Sequence, residues 1–554
     1  MMQIKRSNDR LLIACAASIF FLVAGFLIFL VQGLPAGDLD DWDKIILAKE
    51  LPWETFTSSF LTPWSQSQNW AGQIDRYDEI QYKRIILPIL LKLSQQLFGQ
   101  SFFAMYALTK VFFFAGSVTL VFIFLAQAVP WALAFIGALC FLFVPAHFSH
   151  ALWIADPATI SYFFLFLGIL FFLLIQKNIR SHGTKAQFIN LLAALFLASW
   201  VGVKAKETML VLPLIVFIWS LLTFRSWKIH PKRYLLLNLA MGFIAFQIVP
   251  IMHLTANASP AVQFNLNTIS RLFFFNYNCG YEDEVRSALF SWDHVFPVSV
   301  FRTLGFFLLW SIVGAFALYI SRRVLLRDHS APHFLDSDIV RISFLWLAIE
   351  LPFLGMFQPD PRYFSGTMAP ILILTCRLFY CALSGAKKPV FFIGAIALIF
   401  SVGFYVYENV QNAVSLRLVV GRKMNYFLES ARLIYKDLNP TSTADDFKVG
   451  EFYCAVKRGP GKPNSIDRYV YYAHLGFDSW NKVAPGKDSF QDFLAKSKFG
   501  YRYYLTFEQH DVSNVHEVRL IGAVDGINHE SFLEKMVYRK KKKRPASLAI
   551  YGSP

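Results

Sequence analysis

Cysteine and charge are both scarce in this chain, and each shortage removes a class of protein. The six cysteines among 554 residues are scattered, with no CxxC and no His/Cys grouping, so the pattern supports neither a disulfide scaffold nor a zinc site. Cys15, Cys140, Cys376 and Cys381 fall inside apolar runs, where a thiol serves as a small apolar packer. Cys279 and Cys454 lie in polar stretches, and nothing in their spacing specifies a pair. Charged residues make up 16% of the chain against 55% apolar and 17% aromatic, with 58 phenylalanines, which excludes a purely soluble protein. The net charge of +16 sits mostly in short gaps between apolar runs. It forms no stripe interleaved with base-reading groups, so nucleic acid is not an expected partner.

What is abundant is the long apolar run. A stretch of about 20 such residues crosses the roughly 30 Å of hydrocarbon in a bilayer. The pattern predicts about eleven spans, near 11–33, 101–126, 131–150, 159–176, 188–203, 207–224, 234–255, 298–320, 339–358, 364–384 and 389–408. The first is longer than a signal-peptide core and reads as an uncleaved span. With the N-terminus inside, the cytoplasmic gaps hold Lys177, Arg180, Lys185, Arg225, Lys228, Lys232, Arg233, Arg322, Arg323, Arg327, Lys387 and Lys388, while the short outer gaps hold only Lys204, Lys206 and Arg362. That asymmetry follows the positive-inside rule. Two long polar segments, 34–100 and 256–297, then fall outside, as does everything after about 408. Within the first, residues 84–98 carry Lys92 and Pro88 in an apolar setting and read as an amphipathic helix lying at the interface. From 409 to 554 the composition becomes that of a soluble domain. DRYVYYAHLGF and YRYYLTFEQ resemble strands and SFQDFLAKSKFG a helix ending near Gly500, so a small α/β domain is expected.

Four polar features converge on the outer side. GDLDDWDKI, residues 37–45, brings Asp38, Asp40, Asp41 and Asp43 together; carboxylates so close favour proton uptake or cation binding, although a polar helix cap explains them equally well. Asp156-Pro157, between the third and fourth spans, is a standard helix start. GVKAKE, residues 202–207, sets Lys204 and Lys206 in an outward turn, where they either snorkel to headgroups or meet a phosphate. FQPDPRYFSGTMAP, residues 357–370, puts Arg362 at headgroup depth, as an interfacial anchor or as a bidentate phosphate ligand. Acid on one side of a cavity and cations on the other suit transfer chemistry with a phosphate leaving group.

This layout resembles the GT-C superfamily of membrane glycosyltransferases, which use polyprenyl-phosphate sugar donors. The resemblance rests on DLDDWD in the first outer loop, RYDEIQYKRIILPIL after it, Asp156, KETMLVLP, the late PRYF…P segment and a C-terminal soluble domain. It implies a polytopic α-helical membrane domain over 1–408, with large outer loops 34–100 and 256–297, followed by an extracytoplasmic α/β domain over 409–554. It also implies roles. Asp40 or Asp41 would be the general base, with Asp38 in reserve; Arg362 would contact the lipid phosphate, assisted by Lys204 and Lys206. Asp156 would bind acceptor or metal, as would Tyr77 and Asp78, so a divalent cation is a candidate cofactor.

The expected activity is therefore inverting transfer of a sugar, hexosyl or pentosyl, from a polyprenyl phosphate to a lipid, glycan or protein acceptor. The expected setting is the outer face of a bacterial inner membrane, with membrane lipids as further partners. The alternatives are a transporter or flippase of lipid-linked glycans, or a non-catalytic glycan-assembly protein. Few charges within the spans and no paired broken helices argue against transport.

Overall fold

The computed structural model describes residues 2–31, 45, 48, 52–61, 84–99, 101–144, 156–223, 230–258, 306–325, 332–356, 364–384, 386, 388–403, 405–407, 410, 433, 452–454, 503–506, 519–524 and 548–552. The chain divides into two compact units. One comprises 1–30, 47–279 and 296–410, the other 31–46, 280–295 and 411–554.

The first unit is helical throughout its described length. An apolar run in hydrocarbon must satisfy its backbone groups internally, and the helix does so without a partner. Six helices among the described residues are long and apolar enough to cross a membrane: Leu11–Phe29, Phe103–Ala128, Ala158–Arg180, Lys185–Ala205, Gly366–Leu383 and Lys388–Tyr407. Helices also occupy Trp131–Leu142, Val211–Leu222, Pro231–Ala258, Phe306–Ile320 and Asp338–Met356, where the hydropathy pattern places the other expected spans. The chain is a multi-pass membrane protein. Its full count of about eleven spans remains an expectation.

In chain order the helices are α1 (Met2–Val31), α2 (Trp53–Leu61), α3 (Ile86–Phe98), α4 (Phe102–Tyr106), α5 (Phe112–Ala128), α6 (Trp131–Leu142), α7 (Ala158–Arg180), α8 (Lys185–Ala205), α9 (Val211–Leu222), α10 (Pro231–Ala258), α11 (Phe306–Ile320), α12 (Asp338–Met356) and α13 (Phe364–Leu383). A π-turn, Ala107–Val111, interrupts α4 and α5, and a 3₁₀ turn, Glu207–Leu210, precedes α9. The interior is built around α7, which packs on α5, α8 and α9, while α12 and α13 pack on each other and on α5. Small residues permit the close approaches. A Cβ at Gly168 of α7 would lie 2.4 Å from Leu212 of α9, and one at Gly137 of α6 would lie 2.8 Å from both Cys376 Sγ and a Leu125 methyl.

Helix ends follow local chemistry. Asp156 Oδ1 accepts the amide of Ala158 at 2.8 Å and starts α7. His182, at φ 53°, closes it; two residues on, Thr184 Oγ1 accepts the Gln187 amide at the start of α8. At this same end Arg180 pairs with Asp338 of α12. Arg377 of α13 donates to the carbonyls of Ala128, His333 and Phe334, and Arg322 to those of Ala382 and Ser384. Both are interhelical ties made by guanidinium groups to carbonyls that helix ends leave unpaired.

The second unit contains a four-stranded sheet in the order β1-β2-β4-β3, with β1 Phe452–Cys454, β2 Tyr503–Thr506, β3 Arg519–Val524 and β4 Leu548–Gly552. β1 and β2 are parallel; the other two pairs are antiparallel. β2 falls within YRYYLTFEQ as the residue pattern predicts, whereas DRYVYYAHLGF, the helix expected before Gly500 and the basic run Lys540–Arg544 lie outside the described residues.

Candidate functional site

Lysines are seldom buried in an apolar bundle, because a charge removed from water needs a compensating partner. Among the described residues four are buried at one end of this one: Lys92, Lys110, Lys204 and Lys206, at 9%, 0%, 2% and 5% exposure. The elements that carry them meet there. α3 packs against the π-turn and against α8, and the 3₁₀ turn packs against α7 and α8.

Each lysine is seated differently. Lys110 sits in the π-turn, whose extra residue shifts the register of the helix around it, and its ammonium donates to the backbone carbonyl of Asp156. Lys204, in the last turn of α8, lies over the Trp200 ring at 5.1 Å in a cation–π contact. Lys206 caps the same helix, its amide bonding the Gly202 carbonyl. Just beyond it, Thr208 and Ser161 of α7 share a hydroxyl–hydroxyl bond of 2.8 Å, which fixes the 3₁₀ turn to the start of α7. Lys92 of α3 donates to the Ala48 carbonyl at 3.0 Å and lies 5.8 and 5.7 Å from the Trp53 and Phe56 rings. Burial lowers its affinity for a proton from the ordinary lysine value, and the nearby Glu54 opposes that shift.

The structure thus brings together Lys204, Lys206 and Asp156 from the residues picked out in the sequence. Both lysines are enclosed by protein. Asp156 is half-buried and uses one carboxylate oxygen to cap α7. Asp38, Asp40, Asp41, Asp43, Tyr77, Asp78 and Arg362 lie outside the described residues. Among the described residues no three His, Cys, Asp or Glu side chains group as a metal-binding set. The residue that reading the sequence missed is Lys110. Its signal was a single cation within an otherwise apolar run, which is uncommon enough in a span to mark a site.

No family model matches the chain, and no curated protein matches it in sequence. Among solved structures it is similar to ArnT from Cupriavidus metallidurans bound to undecaprenyl phosphate. The TM-score is 0.50 at 13% identity, over 98% of this chain and 98% of that one. The fold is GT-C-like. The apo state of the same ArnT matches at a TM-score of 0.49 and 12% identity, covering 99% and 98% of the two chains. The apo oligosaccharyltransferase of Archaeoglobus fulgidus matches at 0.47 and 14%, covering 89% and 69%. A GT-C-like fold agrees with the mostly helical, multi-pass character read from the sequence.

Proposed function

We propose that this protein is an inverting glycosyltransferase that moves a hexosyl or pentosyl unit from a polyprenyl phosphate to a lipid, glycan or protein acceptor. The proposed setting is the outer face of a bacterial inner membrane, with the N-terminus cytoplasmic, about eleven spans over 1–408, and residues 409–554 as an extracytoplasmic α/β domain. The observation that carries the reading is the set of buried lysines, Lys92, Lys110, Lys204 and Lys206, gathered at one end of the helical unit. Cations gathered in one place favour an anion beside them, and a lipid phosphate is one that a membrane supplies. The GT-C-like fold supports the same assignment, and the ArnT structure holds undecaprenyl phosphate.

In this mechanism Asp40 or Asp41, with Asp38 in reserve, removes the proton from the acceptor hydroxyl. The freed oxygen attacks the anomeric carbon, and the bond from that carbon to the phosphate oxygen breaks. The electron pair leaves with the polyprenyl phosphate, whose growing charge Lys110, Lys204, Lys206 and Arg362 stabilise. Asp156, Tyr77 and Asp78 serve the acceptor. If a divalent cation takes part, these acidic side chains and the four aspartates would hold it, and it would supply further stabilisation of the phosphate.

The test is transfer of labelled sugar from a polyprenyl phosphate in membranes containing the full chain. Asp40→Asn combined with Asp41→Asn abolishes transfer; intact transfer in that variant overturns the assignment of the base. Lys110→Met weakens undecaprenyl-phosphate binding by about tenfold, or about 1.4 kcal/mol, and unchanged binding overturns the phosphate role. Movement of labelled lipid-linked glycan across liposomes by the purified protein, without sugar transfer, would instead assign it as a transporter.

A further inference from the structure

One carboxyl group lies deep in the helical unit and has no place in the chemistry above. Glu350 of α12 is 2% exposed. The Trp346 indole N–H, one turn earlier on α12, and the Thr367 hydroxyl, in the first turn of α13, face its carboxyl. Yet Glu350 Oε2, Trp346 Nε1 and Thr367 Oγ1 have no partner at hydrogen-bonding geometry among the described residues, and neither has Thr159 Oγ1 at the start of α7. A bundle interior does not tolerate several such groups idly, because each unsatisfied one destabilises the fold. The shared location of Glu350, Trp346 and Thr367 is therefore informative.

The surrounding contacts join three helices. Trp346 packs on Phe166 of α7 with ring centroids 5.6 Å apart, and Phe166 stacks on Tyr162 one turn nearer the start of that helix, at 6.3 Å. Gly366 of α13 closes the set. A Cβ at this position would lie 2.4 Å from Tyr162 Cε1 and 2.9 Å from Glu350 Oε1. The carboxyl therefore reaches the point where the first turns of α7 and α13 come together. Asp156, contacted by Lys110, immediately precedes α7. The segment containing Arg362 immediately precedes α13. Glu350 thus lies against Gly366 in the first turn of α13, beside Tyr162 of α7.

We propose that Glu350 is a positioning residue. Its carboxyl packs against the first turn of α13 at the gap left by Gly366, and holds it against Tyr162 of α7. It thereby sets the spacing between the Asp156–Lys110 end of one helix and the first turn of the other. The link to a phosphate ligand rests on the proposed glycosyl transfer; the clamp itself does not. Glutamine preserves the size and shape of the carboxyl, whereas alanine removes the contact. An added Cβ at Gly366 displaces the same turn by sterics.

The experiment uses the full chain in detergent or nanodiscs with three variants, Glu350→Gln, Glu350→Ala and Gly366→Ala. The first readout is amide hydrogen exchange over residues 364–368 without ligand. Glu350→Ala and Gly366→Ala accelerate it and Glu350→Gln does not. The second is affinity for undecaprenyl phosphate and the split between KM and kcat for sugar transfer. Misplacing one wall of the site raises KM for the donor by about tenfold or more and leaves kcat within about threefold, again with rescue by glutamine. Wild-type exchange in Glu350→Ala overturns the clamp whatever the protein's activity. Accelerated exchange with unaltered donor KM overturns the positioning role. Accelerated exchange in Glu350→Gln overturns it too, since shape would then not be what the residue supplies. A wild-type chain that binds no undecaprenyl phosphate and transfers no sugar refutes the proposed function, and the exchange data still decide the clamp.

Discussion

At the scale of single residues, the polar groups buried in this bundle divide into those that tie backbone and those that offer charge to something else. His230 illustrates a third kind, a group that folding forces into one protonation state. Its ring stands 5.1 Å from that of His182, and its Nε2 is buried without a hydrogen-bond partner among the described residues. Burial first, and then the positive Arg233 and the His182 ring, hold its proton affinity below the ordinary imidazole range. The unfolded chain therefore takes up this proton before the folded one as pH falls. Stability from this site is complete above the ordinary imidazole value of about 6.5 and is lost progressively below it. Thermal unfolding midpoints between pH 7.5 and pH 5, on scales of about a unit per step, should fall more steeply for the wild type than for His230→Phe. Equal slopes would remove His230 from the account. None of this was legible in the sequence, where a histidine beside a proline reads as an ordinary loop residue. The Asp156 cap, by contrast, was written plainly in Asp156-Pro157, because capping depends on neighbours in the chain.

At the scale of elements, hydropathy located the helices well, since a run long enough to cross a bilayer leaves few alternatives for its backbone. Where an interfacial helix was expected over 84–98, a helix is present as Ile86–Phe98. Its lysine, however, turns inward onto Ala48, and that partner lies 44 residues away, beyond the reach of any local pattern. The same limit hid Glu350 in an ordinary apolar run, and hid the π-turn, whose extra residue has no composition of its own. Interhelical ties are equally invisible in sequence and are open to test. Arg377 satisfies three carbonyls from two separate segments, a fan that neither an ammonium nor an apolar side chain can reproduce. Arg377→Met should lower stability by about 2–5 kcal/mol, and Arg377→Lys should recover only part of it. Thermal unfolding in detergent reads both. A midpoint unchanged in Arg377→Met would show these bonds to be replaceable by water.

At the scale of the whole molecule, the orientation argued from basic gaps can be tested against the helix connections. Single cysteines introduced at Ser181 and Ser384, between α7 and α8 and after α13, should react with a membrane-impermeant maleimide only when the cytoplasmic face is open. A cysteine at Glu207, at the opposite end of α8, should react from outside or be shielded, but never from the cytoplasm alone. Reversed labelling would overturn the topology and with it the outer-face chemistry. The helical, multi-pass character of the chain and its GT-C-like fold were legible, since they follow from hydropathy and a chain of short motifs. The acid half of the proposed site rests on DLDDWD alone, while its basic half has gained Lys110 and Lys92 from packing that brings distant stretches of chain together.

The π-turn at Ala107–Val111 has one more consequence. Such a turn is an α-helix carrying a single extra residue, and each residue advances a helix by about 100°. No substitution needs to touch Lys110 for its direction to be lost: deletion of one neighbour, restoring a regular helix, would swing it by about that angle relative to α5. The site would then vary by insertion and deletion more readily than by point change, and a gain or loss of one residue here would separate chains that keep the fold from chains that keep the charge.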